Sequence, residues 1–511
     1  MWRNTVFFWF VIALALASCT KYEGAHDASS MVLPGGDAAL LTPSLERLAI
    51  PNAPADAISE RGTLRVPVNR SVSSGQALDL EFFRFKRLAE ADPDTPPIFL
   101  LRGGPGYPGL GDAVESEAFY ERAILRYTRL TDLVIIGQRG FGSSGDLSCP
   151  GVARSPYDEV DTSEKSRARY RRTAEMCRDH YLQQGLDLSG YNIKEMADDV
   201  ADVATSLGYQ SIQLKGSSFG AFWSIAVLRQ HPDLVERATL SALEGPDHTI
   251  DRPTAVKTTL TNIANAAAQS ERYQERIPEE GLIDAYQSTI DAADREPFVV
   301  SFDDEETGAS ITINIDGDAL RRFSYGVTNR PNYRYVMHDW PDDLLNIIEG
   351  NFDVVAPLLY RYSTGTDADS AAEEIIECSS GISPERRAEI AQDPAIAFVG
   401  TPALLDERIC DLWGEAVVDM DRSDFDIDVP TLLISGTWDI STPYDQAKTV
   451  RQLFRDHHFV TVEGGSHGAI FEAEETDPAF LAALFEWYVT GSKQNLPDVV
   501  ELPALDWQGG N

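Results

Sequence analysis

Positive charge is scarce in this chain. Lysine and arginine number 43 against 81 aspartates and glutamates, and the formal net charge is −38. A surface of that sign repels phosphate backbones and anionic headgroups, so no nucleic-acid partner is expected. Histidine is rare too, with 8 residues. His457 and His458 stand together without a ligand cluster and read as surface or strand-start residues; no metal site and no cofactor are expected. Cysteine is limited to 5 residues, none in the close CxxC spacing of a zinc or redox site. The apolar run Val6 to Ala17 holds 12 residues and is too short to span a bilayer.

That run follows Met1-Trp2-Arg3 and fits the apolar region of an export signal. It ends in Leu16-Ala17-Ser18-Cys19, which resembles the lipobox of bacterial lipoproteins. The expectation is a signal peptide over 1–18, lipidation of Cys19 and anchoring in the cell envelope, in the periplasm or at the outer membrane; the alternative is an ordinary secretory signal and a secreted protein. Cys149, Cys177, Cys378 and Cys410 remain, an even number that suggests two disulfides in an oxidising compartment. Three pairings are possible, and sequence proximity favours Cys149–Cys177 with Cys378–Cys410.

Residues 19–60 read as a tether and lead-in. From Gly62, strand patterns alternate with glycine-rich loops and helices: GTLRVPVNR, ALDLEFFRFKRL, PPIFLLRGGPG, TDLVIIGQRGFGSSG, then a strand to Leu214 and the helix of GSSFGAFWSIAVLRQHP. Such alternation implies an α/β fold with a mostly parallel sheet covered on both faces. The rhythm covers 61–246, breaks over the polar, acidic and largely helical 247–425, and resumes over 426–495. Residues 247–425 read as a cap inserted into one sheet domain, and 496–511 as a tail.

Gly216-Ser217-Ser218-Phe219-Gly220 matches G-x-S-x-G between a strand and a helix. That design projects a serine hydroxyl above the sheet and aims helix-start N–H groups at a developing oxyanion. Gly464-Gly465-Ser466-His467-Gly468 fits the same pattern. No histidine follows it, and its context reads as a loop with no helix immediately after, so Ser466 is set aside. Asp439 ends the strand TLLISGTWD, and His467 sits after FVTVEGG, completing the order Ser, acid, His. Asp424, Asp426 and Asp428 precede the strand and are poor rivals. In Arg102-Gly103-Gly104-Pro105-Gly106, Gly104 is favoured over Gly103 as an oxyanion donor, with Phe219 N–H as the other.

LRGGPG, IIGQRGFGSS, KGSSFG, SGTWDISTP and GGSHG, in that order, resemble the prolyl aminopeptidase and tripeptidyl aminopeptidase group of α/β-hydrolases. The resemblance runs from about Gly62 to about Tyr488. It implies the α/β-hydrolase fold, with an eight-stranded sheet, a helical cap and a Ser218–His467–Asp439 acyl-enzyme mechanism acting near a free peptide N-terminus. GTLRVPV and the CDLW at Cys410 look more like the exported tripeptidyl branch. Arg102 replaces the group's usual histidine and Gly137 its usual aspartate. An acidic anchor for the substrate's amino group is also implied, with Glu244 the best-placed candidate. Glu373, Glu374 and Glu377 are alternatives within a cap whose acids read mostly as surface charge.

Three other functions compete. A carboxylic ester hydrolase would use the same triad. An inactive hydrolase fold would serve as a binding protein. An oxidoreductase would use Gly104–Gly109 or Gly140–Gly145, both of which fit GxGxxG; prolines in the first and the lack of a following helix in the second argue against it.

Overall fold

A computed structural model of the chain describes residues 42–72, 75–106, 117–149, 163–304, 308–326, 328–363, 370–401, 407–422 and 425–509. The expected signal peptide, Cys19 and Asp424 lie outside them. No helix among the described residues is long and apolar enough to cross a membrane.

The strands are β1 (Ser44–Leu48), β2 (Ser59–Pro67), β3 (Ala77–Phe85), β4 (Ile98–Leu101), β5 (Leu133–Ile136), β6 (Ile212–Ser218), β7 (Val235–Leu243), β8 (Phe298–Asp303), β9 (Ser310–Ile315), β10 (Thr431–Gly436), β11 (His457–Glu463) and β12 (Val499–Glu501). One sheet of ten strands runs β1-β2-β3-β5-β4-β6-β7-β10-β11-β12. From β5 to β12 every neighbouring pair is parallel, while β3 runs antiparallel to both β2 and β5. The eight strands from β2 to β11 have the strand order and directions of an α/β-hydrolase sheet. Two more than the expected eight are present because β1 and β12 add an edge at either side. β1 is mostly exposed and β12 has three residues, so neither carries the apolar signature by which a strand is read.

The inner strands are apolar because helices cover both faces. β5 (LVII) and β10 (TLLISG) are buried at every position. The helix Phe219–Gln230 is buried from Phe219 to Leu228, as befits one packed at the centre of the fold. Cys149 pairs with Cys177 and Cys378 with Cys410.

The chain between β7 and β10 is mainly helical but holds the β8–β9 hairpin. It also divides in two. Helices around Leu260, Tyr286 and Trp340 share an apolar core of their own, which takes in Ile440. The helix Ala371–Ser380 packs instead into the main core with Tyr191 and Trp413.

Arg139, just after β5, is fully buried. It forks onto Asp199 with bonds of 2.8 and 2.6 Å and donates to the carbonyls of Val68 and Gly190 at 2.5 and 2.6 Å. Replacing one partner of such a pair strands a charge in low dielectric. Arg139→Met is expected to destabilise the fold by about 3 kcal/mol, since Arg70 still reaches Asp199 at 2.8 Å. Denaturant titration against the wild type checks this; a loss under about 1 kcal/mol would contradict it.

Candidate active site

β6 ends in a sharp turn at Ser218, whose backbone has φ 60° and ψ −132° before the helix begins at Phe219. The flanking glycines are required by contact. A Cβ at Gly216 would lie 2.3 Å from the Gly220 carbonyl oxygen, and one at Gly220 would lie 2.1 Å from the Leu101 oxygen. This strained turn exposes a serine at the carboxyl edge of the sheet. As the first residue of its helix, Phe219 offers an N–H with no intrahelical acceptor.

β10 and β11 are parallel to β6, so Asp439 and His467, in the loops after them, lie at the same edge. His467 Nδ1 is 2.9 Å from Asp439 Oδ1 and 3.1 Å from Oδ2. The Asp439 carboxylate is fully buried and accepts further bonds from Ser441 N (3.0 Å), Thr442 N (2.9 Å) and Thr442 Oγ1 (2.7 Å). Burial alone would lower the His467 pKa, but the Asp439 charge and hydrogen bond raise it above the ordinary value. Among the described residues no hydrogen bond joins Ser218 to His467. The structure therefore assembles the acid and the histidine, with the serine on the same edge.

Ser466 is fully buried and tied to Glu472, which its hydroxyl contacts and whose carboxylate accepts the Ser466 N–H at 2.9 Å. A helix, Ala469–Thr476, does follow it, contrary to the sequence reading. Its start is inconspicuous because Gly468 supplies no side-chain cap. Of the rival acids, Asp426 and Asp428 both pair with Arg455. His457 and His458 open β11.

The loop after β4 lies against the serine. A Cβ at Gly103 would be 3.1 Å from Ser218 Cβ and 3.6 Å from its Oγ. Gln138, from the loop after β5, donates through Nε2 to the carbonyls of Gly103 (2.8 Å) and Arg102 (3.2 Å) and accepts the Gly106 N–H at 2.9 Å. Gly137 has a steric cause: a Cβ there would lie 2.6 Å from Ser144 Oγ and 2.9 Å from the Glu81 oxygen. An aspartate would not fit. The Gly140–Gly145 loop continues as a turn, so no dinucleotide helix opens there.

The cap reaches the histidine. His467 N–H donates to the Asn332 carbonyl at 3.2 Å, and Asn332 Oδ1 accepts from Ser441 Oγ at 2.9 Å. The Tyr333 ring meets the imidazole edge-on at 6.3 Å. Beneath the turn, Lys215 of β6 pairs with Glu474 at 3.2 Å, linking the serine strand to the helix that follows His467.

A cavity of about 370 Å³ opens beside Ile440 and Ser441, lined also by Asp251, Glu377, Tyr325, Ile250, Val256 and Val399. Its acids have company. Burial and the neighbouring Asp251 push Glu244 up to about 8. Burial, with Asp439 adding to it, takes Asp251 to about 8 although Gln446 donates to it at 2.5 Å. Burial, with Glu373, Glu374 and Glu244 nearby, takes Glu377 well above the carboxylate range. Glu373 reaches the other side: its Oε2 would be 3.5 Å from a Cβ at Gly106. Glu374 is buried and pushed up to about 8 by that burial. Surface charge is thus the wrong description of these cap acids. The helix Ala371–Ser380 docks on the β5 loop so closely that a Cβ at Gly140 would lie 2.3 Å from Ala372 Cβ. Asp251, Gln138 and Asn332 were not singled out in the sequence. Gln138 stood inside a recognised motif; the other two carried no local signal.

Residues 397–486 match a family model described as TAP-like protein. No curated protein matches the chain. Among solved structures it is similar to an α/β-hydrolase from a deep-sea metagenome library, with 13% identity over 81% of this chain and 96% of that one and a TM-score of 0.34. An esterase from Thermogutta terrifontis matches at 16% identity over 83% and 97%, with a TM-score of 0.34. A 2-hydroxy-6-oxo-6-phenylhexa-2,4-dienoate hydrolase from Rhodococcus matches at 12% over 87% and 99%, with a TM-score of 0.33. By its strand order and by the strand–Ser218–helix turn, this chain has the α/β-hydrolase fold.

Proposed function

We propose that the protein is a serine hydrolase that cleaves peptide bonds near a free N-terminus. The observation that carries the peptide reading is a set of carboxylates beside the Asp439 loop: Asp251 and Glu377 line the cavity, Glu244 interacts with both, and Glu373 lies toward the Gly106 side. Crowded acids repel one another and hold protons. A substrate ammonium relieves that repulsion through charge-assisted hydrogen bonds. Ser218 Oγ attacks the carbonyl carbon while His467 Nε2 takes its proton, a contact open here that closes when substrate binds. The oxyanion is met by the N–H groups of Gly104 and Phe219. The intermediate then expels the amine, which takes the proton from His467, and water hydrolyses the acyl-enzyme. Asp439 keeps the imidazole oriented throughout.

The test compares free and N-blocked Pro-, Ala- and Ala-Ala-Pro- chromogenic amides with short nitrophenyl esters. Cleavage of free amides and not blocked ones supports the proposal and shows the length released. Cleavage of esters alone assigns the same residues to an esterase, and no Ser218-dependent turnover leaves a binding protein. Glu377→Gln is expected to raise KM for free-amine substrates about thirtyfold, worth ~2 kcal/mol, and to leave ester turnover unchanged. With Glu244 and Asp251 at about 8, these groups ionise as pH rises through about 8, and the ammonium binds more tightly. His467, raised as well, loses its proton in the same alkaline direction and becomes competent as a base. The substrate amine itself discharges near pH 8. For free amides kcat/KM therefore peaks near pH 8, whereas for esters it rises to a plateau. An identical profile for both substrate classes would count against the carboxylate anchor.

The two disulfides suit an oxidising compartment, and we place the protein outside the cytoplasm, held to the envelope by lipid on Cys19. Mass spectrometry of the mature N-terminal peptide checks this.

A further inference from the structure

We infer that Gln138 is a positioning residue that holds the oxyanion loop in its working orientation, an inference that rests on Ser218 being the nucleophile. The loop Arg102–Gly106 has three glycines, two of them with φ near +110° (Gly104 114°, Gly106 109°). Glycine backbone is free to rotate and brings no side chain with which to pack, so such a loop does not orient its own N–H groups. Gln138 does so through its side-chain amide. One nitrogen holds two successive carbonyls, those of Arg102 and Gly103, and the oxygen holds the Gly106 N–H beyond them. The Gly103–Gly104 peptide is trans, so turning the Gly103 carbonyl toward Gln138 turns the Gly104 N–H the opposite way. Gly104 N–H donates to no acceptor among the described residues. A Cβ built on Gly103 would lie 3.1 Å from Ser218 Cβ, so the loop runs close to the serine.

The clamp is anchored in turn. Gln138 is 1% exposed. Gly137 N–H before it bonds to the Glu81 oxygen at 2.9 Å, and Arg139 after it is the fully buried fork onto Asp199. Glutamine is the side chain the geometry needs, since it alone among residues of that length offers two donors and an acceptor without charge. Preorganised donors are worth most when they need no reorganisation at the moment of reaction, which is the property this clamp confers.

The test uses the purified full chain and a fluorophosphonate probe, whose phosphoryl oxygen takes the oxyanion position. Labelling forms a Ser218 Oγ–P bond, expels fluoride and passes the hydroxyl proton to His467. Labelling rates and thermal midpoints are measured for wild type, Ser218→Ala, Gln138→Glu and Gln138→Met. Gln138→Glu keeps the acceptor for Gly106 N–H and loses both donors. It is expected to label roughly ten- to a hundredfold more slowly while still folded at the assay temperature, its midpoint lowered by the buried carboxylate. Gln138→Met, lacking all three bonds, labels no faster. For the chromogenic amide or ester that the wild type turns over, kcat falls in step while KM stays within about threefold, a split that a merely structural residue does not produce. Gln138→Glu labelling within threefold of wild type, or slowing only alongside a collapsed midpoint, overturns the inference. A wild type that does not label, like Ser218→Ala, overturns the nucleophile reading and the inference with it, which distinguishes the two failures.

Discussion

Ser218→Ala is expected to cut turnover about a millionfold, roughly 8 kcal/mol of transition-state stabilisation, while Ser466→Ala changes kcat less than about tenfold. The two serines share a five-residue pattern and differ in everything around it. Ser218 stands at a strained strand-to-helix turn with φ 60°, between glycines that no Cβ could replace. Ser466 is buried, its hydroxyl and N–H both spent on Glu472, and the Arg334 N–H donates to its oxygen at 3.2 Å. Its loss should therefore register as stability, about 1–3 kcal/mol, because buried partners are left unpaired. Turnover and denaturant titration on the two variants decide the matter; loss of turnover in Ser466→Ala at unchanged stability, with Ser218→Ala active, would reverse the assignment.

Asp439→Asn is expected to lower kcat about 10⁴-fold. The carboxylate accepts from Ser441 N, Thr442 N, Thr442 Oγ1 and His467 Nδ1. An amide has one oxygen for those four donors. Its NH₂ group must face either the Thr442 side, leaving donors opposed, or the imidazole, forcing the wrong tautomer on His467. The sign of the accompanying pKa change follows from the wild type. Burial lowers the His467 pKa and Asp439 raises it, so removing the charge leaves burial in control and the pKa falls. Imidazole NMR titration reads that shift directly, and kcat within tenfold of wild type would show that Asp439 does not orient the base.

The contrast between Ser218 and Gln138 shows how far a chain can be read before it is folded. The strand–Ser218–helix turn was legible because such a turn is local. Its strand, its glycines and its helix are consecutive, and the steric demands are made by near neighbours such as Gly220 on Gly216. Asp439 and His467 followed from chain order and from strands apolar enough to be recognised. The cysteine pairs were legible from proximity. Gln138 was visible as a letter in a motif, but its work is done across the sheet, on a loop brought near because β5 and β4 lie side by side.

What the sequence by itself determined is the alternation of buried strands and helices, the serine turn, the chain order of Ser218, Asp439 and His467, and the strongly negative charge balance. Tertiary structure decided which acids are buried and perturbed. Asp251 and Glu374 are ordinary carboxylates in the sequence, and they became perturbed groups only when the folded chain took water away from them. It also decided that Asn332 from the insertion would grip both the His467 and Ser441 loops, and that the segments at 44–48 and 499–501 would become sheet edges. The physical reason is common to these cases. Periodicity and backbone sterics are settled by residues a few positions apart, whereas desolvation and hydrogen-bond partnership depend on what distant parts of the chain bring alongside.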